Sequence, residues 1–247
     1  MSLTDYKIAV VTGASRGIGA ATVRKLRAKG LEVHAVARSA GDLAALARET
    51  GCVAHSIDVA DRAAILKAFG SMPVDVLINN AGVLAPAGAV YETSAEHVAR
   101  LLAINVEGVV NCLAATAPGM KARKRGHIVN ITSMAALEIS PGIPVYGSTK
   151  AAVHSFTKVL RYDLHGSNVR VTEIAPGRVK SGMHLQMMDD RTAAEERYYG
   201  GLRCLEPEDI ADAVVFVLSA PDRMDVTMME INPTDQSYGA MHYHKRS

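Results

Sequence analysis

The chain opens with a short apolar run, a glycine-rich turn and an alanine-rich stretch. Residues 7–11 are apolar and largely β-branched, as in a buried parallel strand, residues 12–19 carry three glycines, and residues 20–28 are good helix formers. Glycines let the backbone approach a pyrophosphate, and a helix N-terminus supplies amide donors. A purely structural turn is the alternative, but a strand before the turn and a helix after it favour dinucleotide binding.

The remaining chain repeats this alternation of apolar strand runs and helical patterns. No linker, low-complexity stretch or internal repeat interrupts the 247 residues, of which 49% are hydrophobic. This pattern predicts one α/β domain over residues 1–247, a doubly wound parallel sheet of the Rossmann type with helices on both faces. Residues 207–218 predict a late helix, and the apolar stripe Val153, Phe156, Leu160 and Leu164 predicts a core or subunit contact.

The end of the second strand indicates which dinucleotide is bound. Residues 31–36 form the strand pattern, Ala37 stands where NAD sites usually carry an acidic residue, and Arg38 follows. Arg16 lies in the glycine turn and would flank the same pocket. Guanidinium groups bind phosphate bidentately, so the two arginines predict NADP(H) rather than two solvated surface charges.

A serine, a tyrosine and a lysine indicate the chemistry. Tyr146 and Lys150 are four residues apart, which places them on one face of a helix, and Ser133 ends a strand-like run before them. An ordinary tyrosine has a pKa of about 10, so a nearby cation is expected to lower it toward neutrality. The set predicts general acid/base chemistry on a carbonyl or alcohol. The alternative is a half-buried tyrosine beside a solvated lysine.

Together with further motifs, the chain resembles the short-chain dehydrogenase/reductase family over nearly its whole length. These motifs are the turn at 12–19, Asp58, the Asn-Asn-Ala-Gly segment at 79–82, Asn105, and the Pro-Gly-x-Val segment from Pro176, in which Ser181 replaces the usual threonine. The resemblance implies catalytic roles for Asn105, Ser133, Tyr146 and Lys150. It implies that Asn105 positions a water that joins Lys150 to solvent. The implied cofactor-binding residues are Gly13, Ser15, Arg16, Gly17, Ile18, Gly19, Arg38, Asp58, Val59, Asn80, Ala81, Gly82, Tyr146, Lys150, Pro176, Gly177, Val179 and Ser181.

Two further segments narrow the resemblance. Residues 160–172 and 230–238 are similar to NADP-dependent 3-hydroxy acid dehydrogenases of the serine type, whereas residues 138–144 depart from that group. We therefore expect an NADP(H)-dependent oxidoreductase of a small polar alcohol or carbonyl compound, a hydroxy acid or aldehyde. A 3-oxoacyl-carrier-protein reductase is the alternative, and a non-catalytic dinucleotide sensor is a minor one. The resemblance also implies a homo-oligomer, a tetramer or a dimer.

Substrate recognition is expected in the segment after the Pro-Gly pair. A lid is predicted around residues 181–200 and a C-terminal tail over residues 233–247. Ser133 and Tyr146 would hold the substrate oxygen, while Arg178 and Lys180 would bind an acidic group, with His184 and Arg191 adding positive charge. A solvated lid that closes over the cofactor is the alternative.

Composition excludes several other classes. The net charge is +2 with mixed signs, and the basic run at 121–125 is expected to be a solvated helix end, so no nucleic-acid partner is predicted. Three scattered cysteines predict free thiols in a reducing cytoplasm. No signal peptide, membrane-length apolar run or metal-binding spacing is expected, and His242 and His244 are assigned to a surface tail or interface arm.

Overall fold

The computed structural model describes residues 3–237, 243 and 244, apart from the side chain of Gln186. Its centre is a seven-stranded sheet in the order β3-β2-β1-β4-β5-β6-β7, and every pair of neighbours is parallel. The strands are β1 Ile8–Thr12, β2 Glu32–Ala37, β3 Val53–Ser56, β4 Val76–Asn79, β5 Gly126–Ile131, β6 Val169–Pro176 and β7 Met228–Ile231. The predicted doubly wound parallel sheet is confirmed.

Helices cover both faces of this sheet. They are α1 Gly17–Ala28, α2 Ala40–Thr50, α3 Arg62–Phe69, α4 Ala95–Leu102, α5 Gly108–Arg123, α6 Pro144–Asp163, α7 Arg191–Tyr199 and α8 Pro207–Ser219. One core lies between the sheet and α1, α2 and α8, and a second between the sheet and α3 to α6. Because β1 and β4 are buried on both faces, their near-continuous apolar sequences match their positions.

Local signals explain where several helices begin. Asp61 caps α3 by accepting a hydrogen bond from the Ala64 amide at 3.0 Å. Pro144 and Pro207 occupy the first turn of α6 and α8, where proline's missing amide has no intrahelical partner to lose. The predicted helix over 207–218 is confirmed, with Ile210, Val214 and Leu218 fully buried.

The order of the strands fixes the position of the site. The chain winds from β1 outward to β3 and then returns to β4 on the other side of β1. Crossovers on opposite faces leave a crevice at the carboxyl ends of β1 and β4, which is where open α/β sheets bind ligands. Two connected depressions lie at this edge: a cleft beside β1 and β2, and a cavity beside β5 and β6.

One expectation about membranes needs correction. The helical run Ala95–Arg123 contains an 18-residue window with a mean hydropathy of 1.5, so by length and composition alone it is long and apolar enough to cross a membrane. No membrane-length apolar run was expected from the sequence because the charged residues Arg100 and Glu107 lie within this stretch. In the structure the run is a helix of the core: Leu101, Ile104, Cys112 and Met120 are buried, and Asn105 of the same run lies in the site.

Two other surface predictions have mixed outcomes. Val153 and Leu164 of the apolar stripe are buried, whereas Phe156 and Leu160 are half-buried. The basic run does end a helix, but it is not simply solvated. Arg123 donates to the Val74 carbonyl at 2.7 Å, and Arg125 pairs with Asp75 at 3.0 Å.

The described residues 243 and 244 lie against residues 235 and 236. Gln236 forms an antiparallel bridge with Tyr243, and the His244 amide donates to the Asp235 carbonyl at 2.8 Å. His242 lies outside the described residues. His244 is exposed.

Candidate active site

The glycine turn between β1 and α1 has no room for side chains. Gly13 has φ +64°, and a Cβ there would lie 2.8 Å from the Ala81 Cα. A Cβ on Gly19 would lie 2.7 Å from the Asn80 Nδ2 atom and would overlap the Gly13 carbonyl. The glycines therefore let three backbone segments meet at the start of α1, where free amides favour a phosphate.

Thr12 and Asn80 tie these segments together. The Thr12 hydroxyl accepts from the Asn80 and Ala81 amides, each at 3.0 Å, and the Asn80 side chain donates to the Thr12 carbonyl at 2.9 Å. Beneath them, the Asn79 side chain donates to Asn130 at 2.9 Å. The Asn-Asn-Ala-Gly segment thus fixes the turn to the sheet.

A cleft of about 600 Å³ adjoins the turn and fits a dinucleotide. It is lined by most of the expected cofactor residues: Gly13, Ser15, Arg16, Gly17, Ile18, Arg38, Asp58, Val59, Asn80, Ala81, Gly82 and Ser181. Arg16 and Arg38 are exposed at its rim, and the Arg38 guanidinium lies 3.9 Å from the Asp58 carboxylate. Arg38 after the end of β2 and Arg16 in the glycine turn line the same cleft, and with no acidic residue at Ala37 they suit a 2′-phosphate.

The expected chemical groups meet at the far end of this cleft. Ser133 follows β5, whereas Tyr146 and Lys150 share a face of α6, and all three line a cavity of about 110 Å³. Tyr146 is hydrogen-bonded to the Ser133 side chain. The Lys150 ammonium donates to the Ile131 carbonyl at 3.0 Å and lies 5.9 Å from the centre of the Tyr146 ring.

Burial governs the protonation of this pair. It raises the pKa of Tyr146 to about 12, against a smaller lowering by the Ser133 hydrogen bond. It also lowers the pKa of Lys150 to about 8, opposed by the negative charge of Glu173. The expected lowering of the tyrosine pKa is therefore not what this structure has, because Lys150 is itself desolvated and donates to a backbone carbonyl.

Asn105 lies in a π-helical segment, Ala103–Glu107, between α4 and α5. Its buried amide accepts from the Val83 amide at 2.9 Å and donates to the Val83 carbonyl at 3.1 Å and the Thr149 hydroxyl at 3.0 Å. A Cβ on Gly82 would lie 3.5 Å from both Asn105 Oδ1 and the Lys150 ammonium, so these groups converge. The water-positioning role stays a prediction.

The Pro-Gly segment forms the wall between cleft and cavity. Pro176, Gly177 and Val179 line the cavity, and Ser181 borders both depressions. A Cβ on Gly177 would overlap the side chains of Asn232 and Gln236. The segment is thus pinned between the glycine turn and the C-terminal tail.

The four expected basic residues of this region have different positions. Arg178 and His184 line the cavity, whereas Lys180 does not and pairs with Glu206 at 3.5 Å. Arg191 is exposed and pairs with Glu195 at 3.4 Å. Burial and the charge of Arg178 lower the pKa of His184 to about 3, so His184 is neutral and adds no positive charge.

Several residues of the cavity wall were not among the expected site residues, and some of them are polar. Ser140, Gln236 and Tyr243 line it together with the expected residues. Gln236 lies within residues 230–238 and Ser140 within residues 138–144, the segments that were compared with the serine-type group, so both had a usable signal. Tyr243 had none.

Comparison with known proteins agrees with this geometry. Residues 7–192 match the family model of the short chain dehydrogenases. The chain is 36% identical to the NADP-dependent 3-hydroxy acid dehydrogenase YdfG of Escherichia coli, over 97% of this chain and 100% of that protein. It is 32% identical to the serine 3-dehydrogenase of Agrobacterium fabrum, over 96% of this chain and 98% of that protein.

A solved structure, the closed form of serine dehydrogenase complexed with NADP⁺, superposes with a TM-score of 0.91 and 34% identity, covering 97% of this chain and all of that one. The chain belongs to the short-chain dehydrogenase family. It is an oxidoreductase, and the expectation of NADP(H) as cofactor is confirmed.

Proposed function

We propose that this enzyme transfers hydride between NADP(H) and a small polar hydroxy acid or aldehyde. The main observation behind this proposal is the small size of the cavity beside Tyr146. It measures about 110 Å³ and is bounded by residues of the lid and the tail, Met183, His184, Gln236 and Tyr243. Sites for drug-sized ligands are typically about 300–1,000 Å³, so this one suits a molecule of a few heavy atoms.

The cofactor supplies the hydride, and the residues of the chain orient the substrate and move the proton. Ser133 holds the substrate oxygen beside Tyr146. In the reducing direction, the Tyr146 hydroxyl gives its proton to that oxygen as the carbon accepts hydride, and in the oxidising direction it takes the proton back. Lys150 lies 5.9 Å from the Tyr146 ring on the same face of α6, and the charge it carries when protonated favours the phenolate against the larger, opposing effect of burial.

The same observation disfavours the two alternatives. A 3-oxoacyl-carrier-protein reductase must admit an extended acyl chain, whereas this cavity is bounded by the tail through Tyr243 and by Ser140 and Ile143. A protein that only senses a dinucleotide does not require a serine, a tyrosine and a lysine around one cavity. The small-substrate enzyme remains the best-supported function.

The test is a set of initial rates followed by NADPH absorbance. Serine, 3-hydroxypropanoate and 3-hydroxybutanoate would be supplied with NADP⁺, and short aldehydes and a 3-oxoacyl thioester with NADPH. We expect turnover of small compounds and a kcat/KM for the thioester at least about 10-fold lower. A clear preference for the thioester would refute the proposal.

Three further features belong to this proposal. Residues 181–200 act as a lid and residues 233–247 as a tail on a single domain. The protein works in the cytoplasm, consistent with the unpaired Cys52, Cys112 and Cys204. It is a homotetramer, with a dimer as the smaller alternative.

The oligomer is supported by apolar side chains left exposed on α5 and α6. Val110 is 43% exposed on α5, while Val159 and Tyr162 on α6 are 53% and 83% exposed. Apolar surface of this kind is stabilised when a second copy covers it. Light scattering of the native protein should give the mass of a tetramer, and Val159→Glu should lower it; a monomeric native protein at micromolar concentration would exclude the assembly.

A further inference from the structure

Arg178 occupies an unusual position in the cavity wall, between two aromatic rings. Its guanidinium carbon lies 5.6 Å from the centre of the Tyr198 ring and 5.2 Å from that of Tyr243. The faces of aromatic rings attract cations. α7 supplies the first ring and the C-terminal tail the second, so the lid and the tail together hold this one side chain.

The tail also fixes the direction of the guanidinium plane. Arg178 Nε and Nη2 donate to the Tyr243 hydroxyl at 3.2 and 2.8 Å, and the Arg178 amide donates to the Gln236 side chain at 2.8 Å. None of the ion pairs within the described residues involves Arg178. Its positive charge therefore faces two rings and a phenol oxygen but no carboxylate of the described chain.

Several described residues of the same wall have buried polar atoms without a hydrogen-bond partner. Within the described residues, three buried polar atoms of cavity-lining residues have no hydrogen-bond partner: Arg178 Nη1, His184 Nδ1 and Ser140 Oγ. Buried polar groups are nearly always paired, and an unpaired one costs about 1–3 kcal/mol. All three atoms belong to residues that line the same small cavity, so a polar ligand bound there would have unpaired donors and acceptors beside it.

We propose that Arg178 binds a carboxylate of the substrate and that Tyr243 positions it for this contact. The inference rests on the proposed function and names its substrate class as small oxo or hydroxy acids. The phenol oxygen holds the Nε–Nη2 edge of the guanidinium, which leaves Nη1 for the ligand. A planar guanidinium of this kind is well suited to a carboxylate.

The neutrality of His184 agrees with this assignment. Burial and the nearby guanidinium keep the imidazole uncharged, so His184 can accept or donate one hydrogen bond but carries no charge. Among the described residues that line the cavity, the cations are Lys150, which donates to the Ile131 carbonyl beside Tyr146, and Arg178. Lys180 and Arg191 are engaged with Glu206 and Glu195 outside the cavity. The recognition of charge is therefore assigned to Arg178 and to the tail that holds it.

The test compares 4-oxobutanoate with butanal, which have equal chain length and differ in the carboxylate. We expect Arg178→Met to lower kcat/KM for 4-oxobutanoate by about 10- to 100-fold, the range of a charge-assisted hydrogen bond, and to leave butanal within a few-fold. Arg197→Met is the matched control, since Arg197 also lies over the Tyr198 ring, at 5.7 Å, but is exposed and does not line the cavity. Equal losses on both aldehydes, or a change confined to the KM for NADPH, would overturn the proposal.

Tyr243→Phe tests the positioning role separately. It keeps the ring and removes the hydroxyl that accepts from Arg178, so the preference for 4-oxobutanoate over butanal should fall by about 3- to 10-fold, as expected for one hydrogen bond. An unchanged preference would remove Tyr243 from the proposal.

A binding measurement separates this inference from the proposed function. Malonate should bind to the native protein with NADP⁺ in calorimetry, and Arg178→Met should abolish that binding. Native protein that reduces butanal but binds no malonate would overturn the inference and leave the proposed function standing. Malonate binding without turnover of either aldehyde would support the anion site and count against the proposed function.

Discussion

Replacing Gly19 with alanine should damage the turn that holds the dinucleotide. The added Cβ would lie 2.7 Å from Asn80 Nδ2 and 2.8 Å from the Gly13 carbonyl carbon, and closer still to the Gly13 oxygen. Ordinary contacts of this type begin near about 3.4 Å, so the start of α1 and the turn must separate by roughly 1 Å. Overpacking of this size costs about 1–3 kcal/mol.

The same displacement threatens the hydrogen bonds from Asn80 to the Thr12 and Gly13 carbonyls, at 2.9 and 3.2 Å. Each is worth about 0.5–1.5 kcal/mol. Gly19→Ala should thus lower the free energy of unfolding by about 2–4 kcal/mol in urea titrations. It should also raise the KM for NADPH, because the amides at the start of α1 move away from the pyrophosphate.

Gly41→Ala is the control, since Gly41 also lies in the first turn of a helix beside the cleft. Its φ is not positive, and a Cβ there would meet nothing within 4 Å. This alanine should leave stability unchanged or raise it by up to about 1 kcal/mol. If the two variants unfold alike, the steric argument for Gly19 is wrong.

Two other predictions concern the chemistry and the cofactor. Tyr146→Phe keeps the buried ring but removes the ionisable oxygen, so kcat should fall by about 10²- to 10⁴-fold while NADPH binding, followed by fluorescence titration, is nearly unchanged; activity within a few-fold of the native enzyme would remove Tyr146 from its role. Arg38→Asp combined with Arg16→Ser should shift the ratio of kcat/KM values from NADPH toward NADH, because an aspartate repels the 2′-phosphate and accepts from a 2′-hydroxyl. An unchanged ratio would show that neither arginine recognises the phosphate.

The parts of the site that local sequence could predict are those built within one turn or one helix. The glycine turn needs three glycines because three backbone segments meet there, and Tyr146 and Lys150 meet because α6 has a fixed period. The sheet also follows from its apolar runs, since strands as deeply buried as β1 and β4 cannot alternate in polarity.

The parts that the sequence did not predict depend on long-range contacts. Tyr243 lines the cavity and forms a bridge with Gln236, a pairing that local sequence does not predict. The sequence suggested that Lys180 and Arg191 add positive charge for the substrate. In the structure Lys180 pairs with Glu206, and Arg191 pairs with Glu195. The neutral state of His184 and the raised pKa of Tyr146 follow from burial, which motif spacing does not report.

The burial of Lys150 should make the stability of the protein depend on pH, and this effect can be measured separately from catalysis. Its pKa falls from 10.5 to about 8 in the folded protein. Between these two values the unfolded chain binds the proton that the folded chain has released, so this residue makes stability rise with pH in that range. Below about pH 8 both states are protonated, and the folded protein bears the full cost of a buried charge, on the order of 3 kcal/mol.

Lys150→Met should be inactive. Its free energy of unfolding should lie closest to that of the native enzyme near neutral pH. The substitution removes the buried charge, which is favourable, and leaves the Ile131 carbonyl without its 3.0 Å donor, which costs about 1–3 kcal/mol. These effects partly cancel at pH 7. On raising the pH to 10, the native enzyme should gain on the order of 2–3 kcal/mol relative to the variant, because only the native enzyme releases its lysine proton. Urea titrations of both proteins at the two pH values measure this difference directly, and other groups that titrate alike in both proteins cancel. A difference that does not change with pH would mean that Lys150 keeps an ordinary pKa in the folded enzyme, and the reasoning from its burial would fail.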